Sequence, residues 1–395
     1  MEKDSIFTYL TWRKDLTMRQ DAFRNLDALA FCCLSYVRFD ALLNETSAPL
    51  SLRQVNEAYQ KLHIDLQQAR VENDKRILSE MAESRRYGEV KIFRYVSRFD
   101  EQQQKQFCAM SFLLETGDIC IAFRGTDSTL VGWKEDFNMS FLPVIPSQHD
   151  ALEYVEQISE HYKGRLYICG HSKGGNLAVY ASAFANEALQ DRIAGVYNMD
   201  GPGFDKTIIK QASFQRILPR IYTYVPQSSV VGMLLQHEEA YHVIQSNQLS
   251  LWQHDPYSWQ LEGADFIYLQ SITASSELFD HALKQWLSHM EDSQRALAVD
   301  AIYDVLSRTN ANTIKDLSIT NIKNMLVILK GFSELDEDTR KVLQEMLISF
   351  FSSMVKVMGD HFYYITAFYF VSHFCDDIPI YTHSTLCNHL FRFSS

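Results

Sequence analysis

Between Arg165 and Tyr180 the chain reads Arg-Leu-Tyr-Ile-Cys-Gly-His-Ser-Lys-Gly-Gly-Asn-Leu-Ala-Val-Tyr, with Ser172 set between Gly170 and Gly174. Apolar residues run up to Gly170 and a small-residue segment of helical spacing follows, so the spacing predicts a strand, a sharp turn and a helix. Such a turn is a nucleophile elbow: it holds its central residue in strained backbone geometry and exposes the serine Oγ above the sheet edge. The flanking positions must then be nearly bare of side chain, a need Gly170 and Gly174 meet, while Gly175 lets the helix approach the sheet. A serine hydroxyl is a weak nucleophile and needs a base, an acid behind the base and donors for an oxyanion.

Upstream, Ile121-Ala122-Phe123-Arg124-Gly125-Thr126-Asp127-Ser128 ends a strand in Arg-Gly-Thr, followed by Trp133 and Glu135-Asp136-Phe137. The first oxyanion donor in an elbow is the backbone N–H of the residue after the nucleophile, and a strand end of this kind supplies the second. Together with Gly170-His171-Ser172-Lys173-Gly174, this segment resembles the class 3 lipases, in which a Phe-Arg-Gly-Thr/Ser stretch carries an oxyanion-hole residue. The chain looks closer still to a bacterial branch of lipase-like α/β-hydrolases, a domain-of-unknown-function family. The resemblance covers roughly residues 20 to 300 and is most specific between Arg124 and Trp259.

Position by position, the resemblance implies Ser172 as nucleophile, with Lys173 and Thr126 as the oxyanion donors. Its histidine stands in a segment like Gln253-His254-Asp255-Pro256-Tyr257-Ser258-Trp259, which makes His254 the general base, with His237 and His242 as rivals among 13 histidines. The acid departs from the pattern. Where class 3 lipases carry Asp-Ile-Val-Pro, this chain has Ser229-Val230-Val231-Gly232 and no carboxylate. Asp200, directly after the strand ending Tyr197-Asn198-Met199, stands one strand end earlier and can serve, because the role depends on geometry rather than chain position. Its bland alternative is a turn cap beside Gly201-Pro202-Gly203. Asp255 ranks third, since it adjoins His254 and cannot easily reach the ring. Arg124 and Trp133 are expected to be structural, the first paired with Glu135 or Asp136 and the second packed in the core.

The elements that must position these residues follow from periodicity. Asp21 to Val37 reads as a core helix and Leu50 to Arg86 as a charged amphipathic stretch. Strands are expected at Val90–Val96, Phe107–Leu114 and Ile119–Phe123, a helix at Asp150–His161, then strands into Ser172 and at Ala194–Met199, Arg220–Val225 and Tyr241–Gln245. Paired strands that give way to strand–helix alternation imply a mostly parallel sheet with helices on both faces, the α/β-hydrolase arrangement of the resemblance. Met139 to Pro146 reads as a buried strand or the lining of an acyl groove. From Ser275 to Val357 amphipathic helices return, one starting at Asp336-Glu337-Asp338. The expected units are an N-terminal helical segment (1–86), an α/β-hydrolase core (87–274) and a C-terminal helical region (275–395). The aromatic stretch His361 to Phe374 is too short to span a bilayer.

Composition narrows the function. With 395 residues and 46% hydrophobic content the chain is globular, and a net charge of −12 without a Lys/Arg cluster argues against nucleic acid. Seven cysteines without a Cys-x-x-Cys pair read as reduced thiols, and the charged first 20 residues contain no apolar signal segment, so the expected compartment is the cytoplasm. No metal or organic cofactor is implied. The leading expectation is a serine hydrolase cleaving a small-molecule or lipid-like ester. The alternative is a hydrolase fold turned to binding, supported by the missing carboxylate at Ser229.

Overall fold

The computed structural model describes residues 4–62, 72–127, 129–139, 141–274, 276–277, 291–309 and 322–358. Helices α1 (Ile6–Arg13), α2 (Asn25–Leu34), α3 (Leu52–Lys61) and α4 (Glu72–Glu83) come first, with the two-residue strand β1 (Leu50–Ser51) leading into α3. Strands β2 (Lys91–Asp100), β3 (Lys105–Leu113) and β4 (Ile119–Phe123) are an antiparallel meander. After α5 (Leu130–Asn138) and α6 (Pro146–His161), strand–helix alternation sets in: β5 (Leu166–His171), α7 (Lys173–Phe184), α8 (Glu187–Gln190), β6 (Ile193–Met199), α9 (Lys206–Ile209), α10 (Ala212–Ile217), β7 (Ile221–Pro226) and β8 (Tyr241–Ile244). A short hairpin, β9 (Leu261–Glu262) with β10 (Asp265–Phe266), precedes β11 (Tyr268–Leu269). The main sheet has nine strands in the order β1-β2-β3-β4-β5-β6-β7-β8-β11, and β4 through β8 are parallel. This is the α/β-hydrolase fold.

The period-2 alternation of the strands divides the core into two layers. Cys120, Ala122, Cys169 and Met199 face α1, α2 and α4, whereas Ile119, Ile121, Phe123, Ile168 and Val196 face α6, α7 and α10. The N-terminal helices are fixed to their face by a buried cluster in which Asp27 accepts from Tyr9 Oη at 3.1 Å, from Arg86 Nε at 2.7 Å and from the Tyr87 hydroxyl. The adjacent thiols of Cys32 and Cys33 are buried in α2 and form no disulfide.

Two expectations fail here. Among the described residues of this stretch, 139 and 141–146, there is no strand: Pro143 interrupts the run and Pro146 begins α6 at a helix position where proline's missing N–H has no cost. Trp133 is not a core residue but 41% exposed. Helix α5 buries Leu130, Val131, Lys134 and Glu135, so its phase carries Trp133 and Phe137 outward. C-terminal to the sheet lie α11 (Asp292–Ser307), α12 (Ile322–Ser333) and α13 (Glu337–Met358), the last capped by Asp336, which accepts from Thr339 N at 2.8 Å. Lys134 ties α5 to α11, with its Nζ 2.9 Å from Asp300 Oδ1 and 4.3 Å from the Tyr303 ring centre. No helix among the described residues is long and apolar enough to cross a membrane. The aromatic stretch His361 to Phe374 lies outside the described residues.

Candidate active site

The turn from β5 into α7 sets Ser172 at φ 60°, ψ −134°, a left-handed conformation that a side chain adopts only under constraint, at about 1–3 kcal/mol. The constraint is the surrounding backbone. Ser172 N donates to Met199 O at 2.9 Å, and Gly175 N donates to Ser172 O at 2.8 Å. Gly174 is pressed against β4, where an added Cβ would lie 2.2 Å from Phe123 O. The Arg124–Thr126 segment in turn crosses the elbow at Gly125, whose added Cβ would meet His171 O at 2.5 Å and Ser172 Cβ at 3.0 Å. Thr126 is therefore one residue from direct contact with the serine.

Two backbone N–H groups flank the elbow. Lys173 opens α7, so its N–H has no partner one turn back, and neither it nor the Thr126 N–H donates to an acceptor among the described residues. The Thr126 hydroxyl is committed elsewhere, donating to Asp136 Oδ1 at 2.6 Å. Burial pushes the Asp136 carboxyl up to about 6, against the lowering pull of Lys173 and of the Thr126 hydroxyl. The Lys173 side chain contributes to packing: its ammonium, 1% exposed, donates to Glu135 Oε2 at 2.6 Å and to Gln106 O at 2.8 Å. Glu135 also accepts from Gln106 N, Ser147 N and Ser147 Oγ, so one buried carboxylate joins α5 to β3, α6 and α7.

Arg124 consequently has a different environment from the expected one. It pairs with neither Glu135 nor Asp136. It lies buried with its Nε unpartnered, in the field of Cys108, Tyr95, Asp127 and Asp40. Phe123 faces the α6/α7 layer, so the next residue along β4 points to the opposite face, away from Glu135.

His254 closes a 3₁₀ turn over Ser250–His254 and comes to Asp200 at the end of β6. Its Nδ1 donates to Asp200 Oδ2 at 2.7 Å; the carboxylate is fully buried and the imidazole about a quarter exposed. With Nδ1 taken, Nε2 is the nitrogen left for chemistry. The loop is held to the elbow by His171: Tyr36 Oη donates to its Nδ1 at 2.7 Å and its Nε2 donates to His254 O at 2.8 Å. The two imidazole centres are 4.5 Å apart with their planes 35° apart, so the residue before Ser172 packs against the ring of His254 in a tilted arrangement. Trp259 Nε1 donates to Gln253 O at 2.8 Å and fixes the other side of the loop.

The rivals lie elsewhere. His237 is paired with Glu239 at 2.9 Å, His242 stacks on Tyr224, and Asp255 caps the following turn by accepting from Tyr257 N. His254 and Asp200 are thus in contact beside the elbow that carries Ser172 and Lys173, and Gly125 sets the Thr126 segment against that elbow; the contacts of His171, Tyr36, Asp136 and Ser229 around them were not part of the expectation. His171 had a signal as the variable residue inside the Gly-x-Ser-x-Gly turn, and Ser229 as the residue standing at the lipase acid position. Among the described residues no group of three or more His, Cys, Asp or Glu side chains is arranged to hold a metal ion.

The family model of the Mbeg1-like proteins matches residues 81–304. No curated protein matches the chain in sequence. Among solved structures it is similar to a fungal lipase–inhibitor complex described as a model for interfacial activation, at 13% identity and a TM-score of 0.34 over 57% of this chain and 79% of the other. It is also similar to a Rhizomucor miehei lipase in complex with its propeptide, at 16% identity and 0.36 over 61% and 72%. A triacylglycerol lipase from Penicillium expansum gives 13% and 0.28 over 44% and 75%.

Proposed function

The chain belongs to the Mbeg1-like family, and from that premise and the geometry of its elbow we propose that it is a serine hydrolase that cleaves an ester, lipid-like in its acyl part, through an acyl-enzyme. One observation carries the reading: a fully buried carboxylate, Asp200, holds the Nδ1 of His254 at 2.7 Å beside a serine in strained elbow geometry. A turn cap has no need of an imidazole, and a surface histidine has no need of a buried acid.

In this reading His254 Nε2 takes the proton of Ser172 as Oγ attacks the ester carbonyl, and Asp200 stabilises the imidazolium that forms. The tetrahedral oxyanion is held by the N–H groups of Lys173 and Thr126, each donor being worth about 3–4 kcal/mol. The C–O bond to the alcohol then breaks, and His254 returns the proton to that oxygen. Water, deprotonated by the same imidazole, hydrolyses the acyl-serine. The buried thiols of Cys32, Cys33, Cys108, Cys120 and Cys169, the cysteines among the described residues, form no disulfide, which supports a reducing compartment, and we assign the enzyme to the cytoplasm.

The test is covalent labelling by a fluorophosphonate probe. Wild type should label, Ser172→Ala should not, and Asp200→Asn should slow labelling by about 10⁴-fold, the loss expected when the histidine is left in the wrong tautomer. His254→Ala should label no faster than Asp200→Asn. A folded wild type that resists the probe overturns the proposal and leaves a binding role for the fold.

A further inference from the structure

Asp200 is fully buried, and only one of its carboxylate oxygens faces His254. The other, Oδ1, accepts from Ser229 Oγ at 2.5 Å. We propose that Ser229 is the positioning residue of the catalytic acid and that Gly232 is the vacancy which lets the acid occupy its place; this rests on the reading of Asp200 and His254 given above.

The hydroxyl of Ser229 is oriented from both sides. It accepts from Gly232 N at 3.0 Å, which occupies a lone pair and leaves its single proton aimed at Asp200. The Ser229 backbone is fixed as well, its N donating to Pro226 O at 2.9 Å and its O accepting from Ser276 Oγ at 2.7 Å. The donor therefore sits on a braced turn just past β7, while the carboxylate it grips comes from the end of β6.

Asp200 needs that grip. Its φ of 54° lies in the left-handed region, and its N donates to Tyr224 O at 2.8 Å, so the backbone is held by the sheet and the side chain must turn sharply to reach His254. A carboxylate fixed at one oxygen only can swing about its Cβ–Cγ bond, whereas one fixed at both is held in the plane the imidazole requires. Gly232 completes the arrangement. A Cβ there would lie 2.2 Å from Asp200 Oδ1, a distance no packed atom pair tolerates. The backbone of Gly232 lies outside the left-handed region, so the pressure against a side chain comes from the carboxylate and its neighbours, not from the chain's own conformation.

The experiment pairs kinetics with a direct view of the hydrogen bond. Ser229→Ala, Ser229→Thr and Gly232→Ala are compared with wild type in fluorophosphonate labelling rate, in thermal unfolding, and in the downfield proton NMR signal of the His254 Nδ1–H. Ser229→Ala should slow labelling by about 100-fold, the scale of a displacement near 1 Å, and shift or broaden the downfield signal. Ser229→Thr keeps the hydroxyl and should recover at least tenfold of that loss. Gly232→Ala should abolish the wild-type signal by displacing the carboxylate. Wild-type labelling and an unchanged signal in Ser229→Ala would overturn the proposal. So would Ser229→Thr variants as slow as Ser229→Ala at equal melting temperature, since the fault would then lie in packing. If wild type does not label at all, the hydrolase reading fails by itself, and the NMR comparison still decides whether Ser229 sets the Asp200–His254 geometry.

Discussion

Replacing Lys173 by methionine should destabilise the protein by about 3–5 kcal/mol, and adding Glu135→Gln should restore more than half of the loss. The ammonium and the carboxylate are 1% and 0% exposed and 2.6 Å apart, and among the described residues no other opposite charge lies in contact with either. Removing the cation leaves a buried carboxylate supported by three neutral donors, Gln106 N, Ser147 N and Ser147 Oγ, and an uncompensated buried charge of this kind costs about 3–5 kcal/mol. Glu135→Gln alone leaves the lysine in the same position and should cost as much. In the double variant no charge remains. The new amide has one oxygen: at the Oε1 position it still accepts from Ser147 N and Ser147 Oγ, while Gln106 N, which donates to Oε2, loses its acceptor, a residual cost of about 1–2 kcal/mol. The double variant should therefore be about 2–3 kcal/mol more stable than either single one, a coupling of opposite sign to simple addition. Urea unfolding at 25 °C, followed by tryptophan fluorescence with matched slopes, measures all four proteins. Single variants within about 1 kcal/mol of wild type, or a double variant less stable than both, would refute the reasoning.

Three further outcomes follow from the same coordinates. Asp136, raised to about 6 in the folded protein against 3.8 for a free carboxyl, holds its proton longer when folded, so its contribution is present at low pH and lost as pH rises through about 6. Asp136→Asn should therefore gain about 1.5 kcal/mol on wild type between pH 5 and pH 7.5 in urea unfolding; a pH-independent difference would contradict the burial argument. Gly125→Ala puts a Cβ 2.5 Å from His171 O and should push Thr126 off the elbow, slowing fluorophosphonate labelling by about 100-fold; labelling at the wild-type rate would show that Thr126 is not a donor. Asp27→Ala removes the buried carboxylate that Arg86 pairs with most closely, leaving Asp21 at 3.9 Å as its counter-charge, and should cost about 3 kcal/mol, read as a lowered thermal midpoint; an unchanged midpoint would show that the cluster does not fix the N-terminal helices.

The parts of the fold legible in the sequence were those whose signal is local. Ile119–Phe123 is bounded by Gly117 and by Arg124-Gly125, and the strand ends where the apolar run ends. The elbow announces itself because two backbones must pass within van der Waals contact and only glycine lets them. The short strand β11 carries no such mark. Its two residues are exposed and are strand only because β8 pairs with them, a long-range fact that a two-residue pattern cannot contain. Helix α6 begins four residues before the expected Asp150 for a related reason: Pro146 reads equally as the end of an extended run and as the first residue of a helix.

The site divides along the same line. Asp200 and His254 could be named because each stands at a recognisable strand end or local segment, and the two lie in contact. The charges around them could not be assigned by proximity in sequence. Glu135 and Asp136 are adjacent, yet one serves Lys173, 38 positions on, while the other serves Thr126, ten back, because successive residues on a helix point about 100° apart. Arg124, the expected partner of one of them, is turned away by the alternation of β4. A buried pair such as Lys173–Glu135 contributes little net stability compared with apolar packing of the same volume. What it does fix is register: breaking it leaves a charge with no alternative partner, so α5 has one position against β3, α6 and α7. Asp136 and Thr126 are held by that position, and with them the donor beside Ser172. The geometry of this elbow is thus set by side chains outside the candidate triad, and these are the residues for which sequence spacing offers no sign.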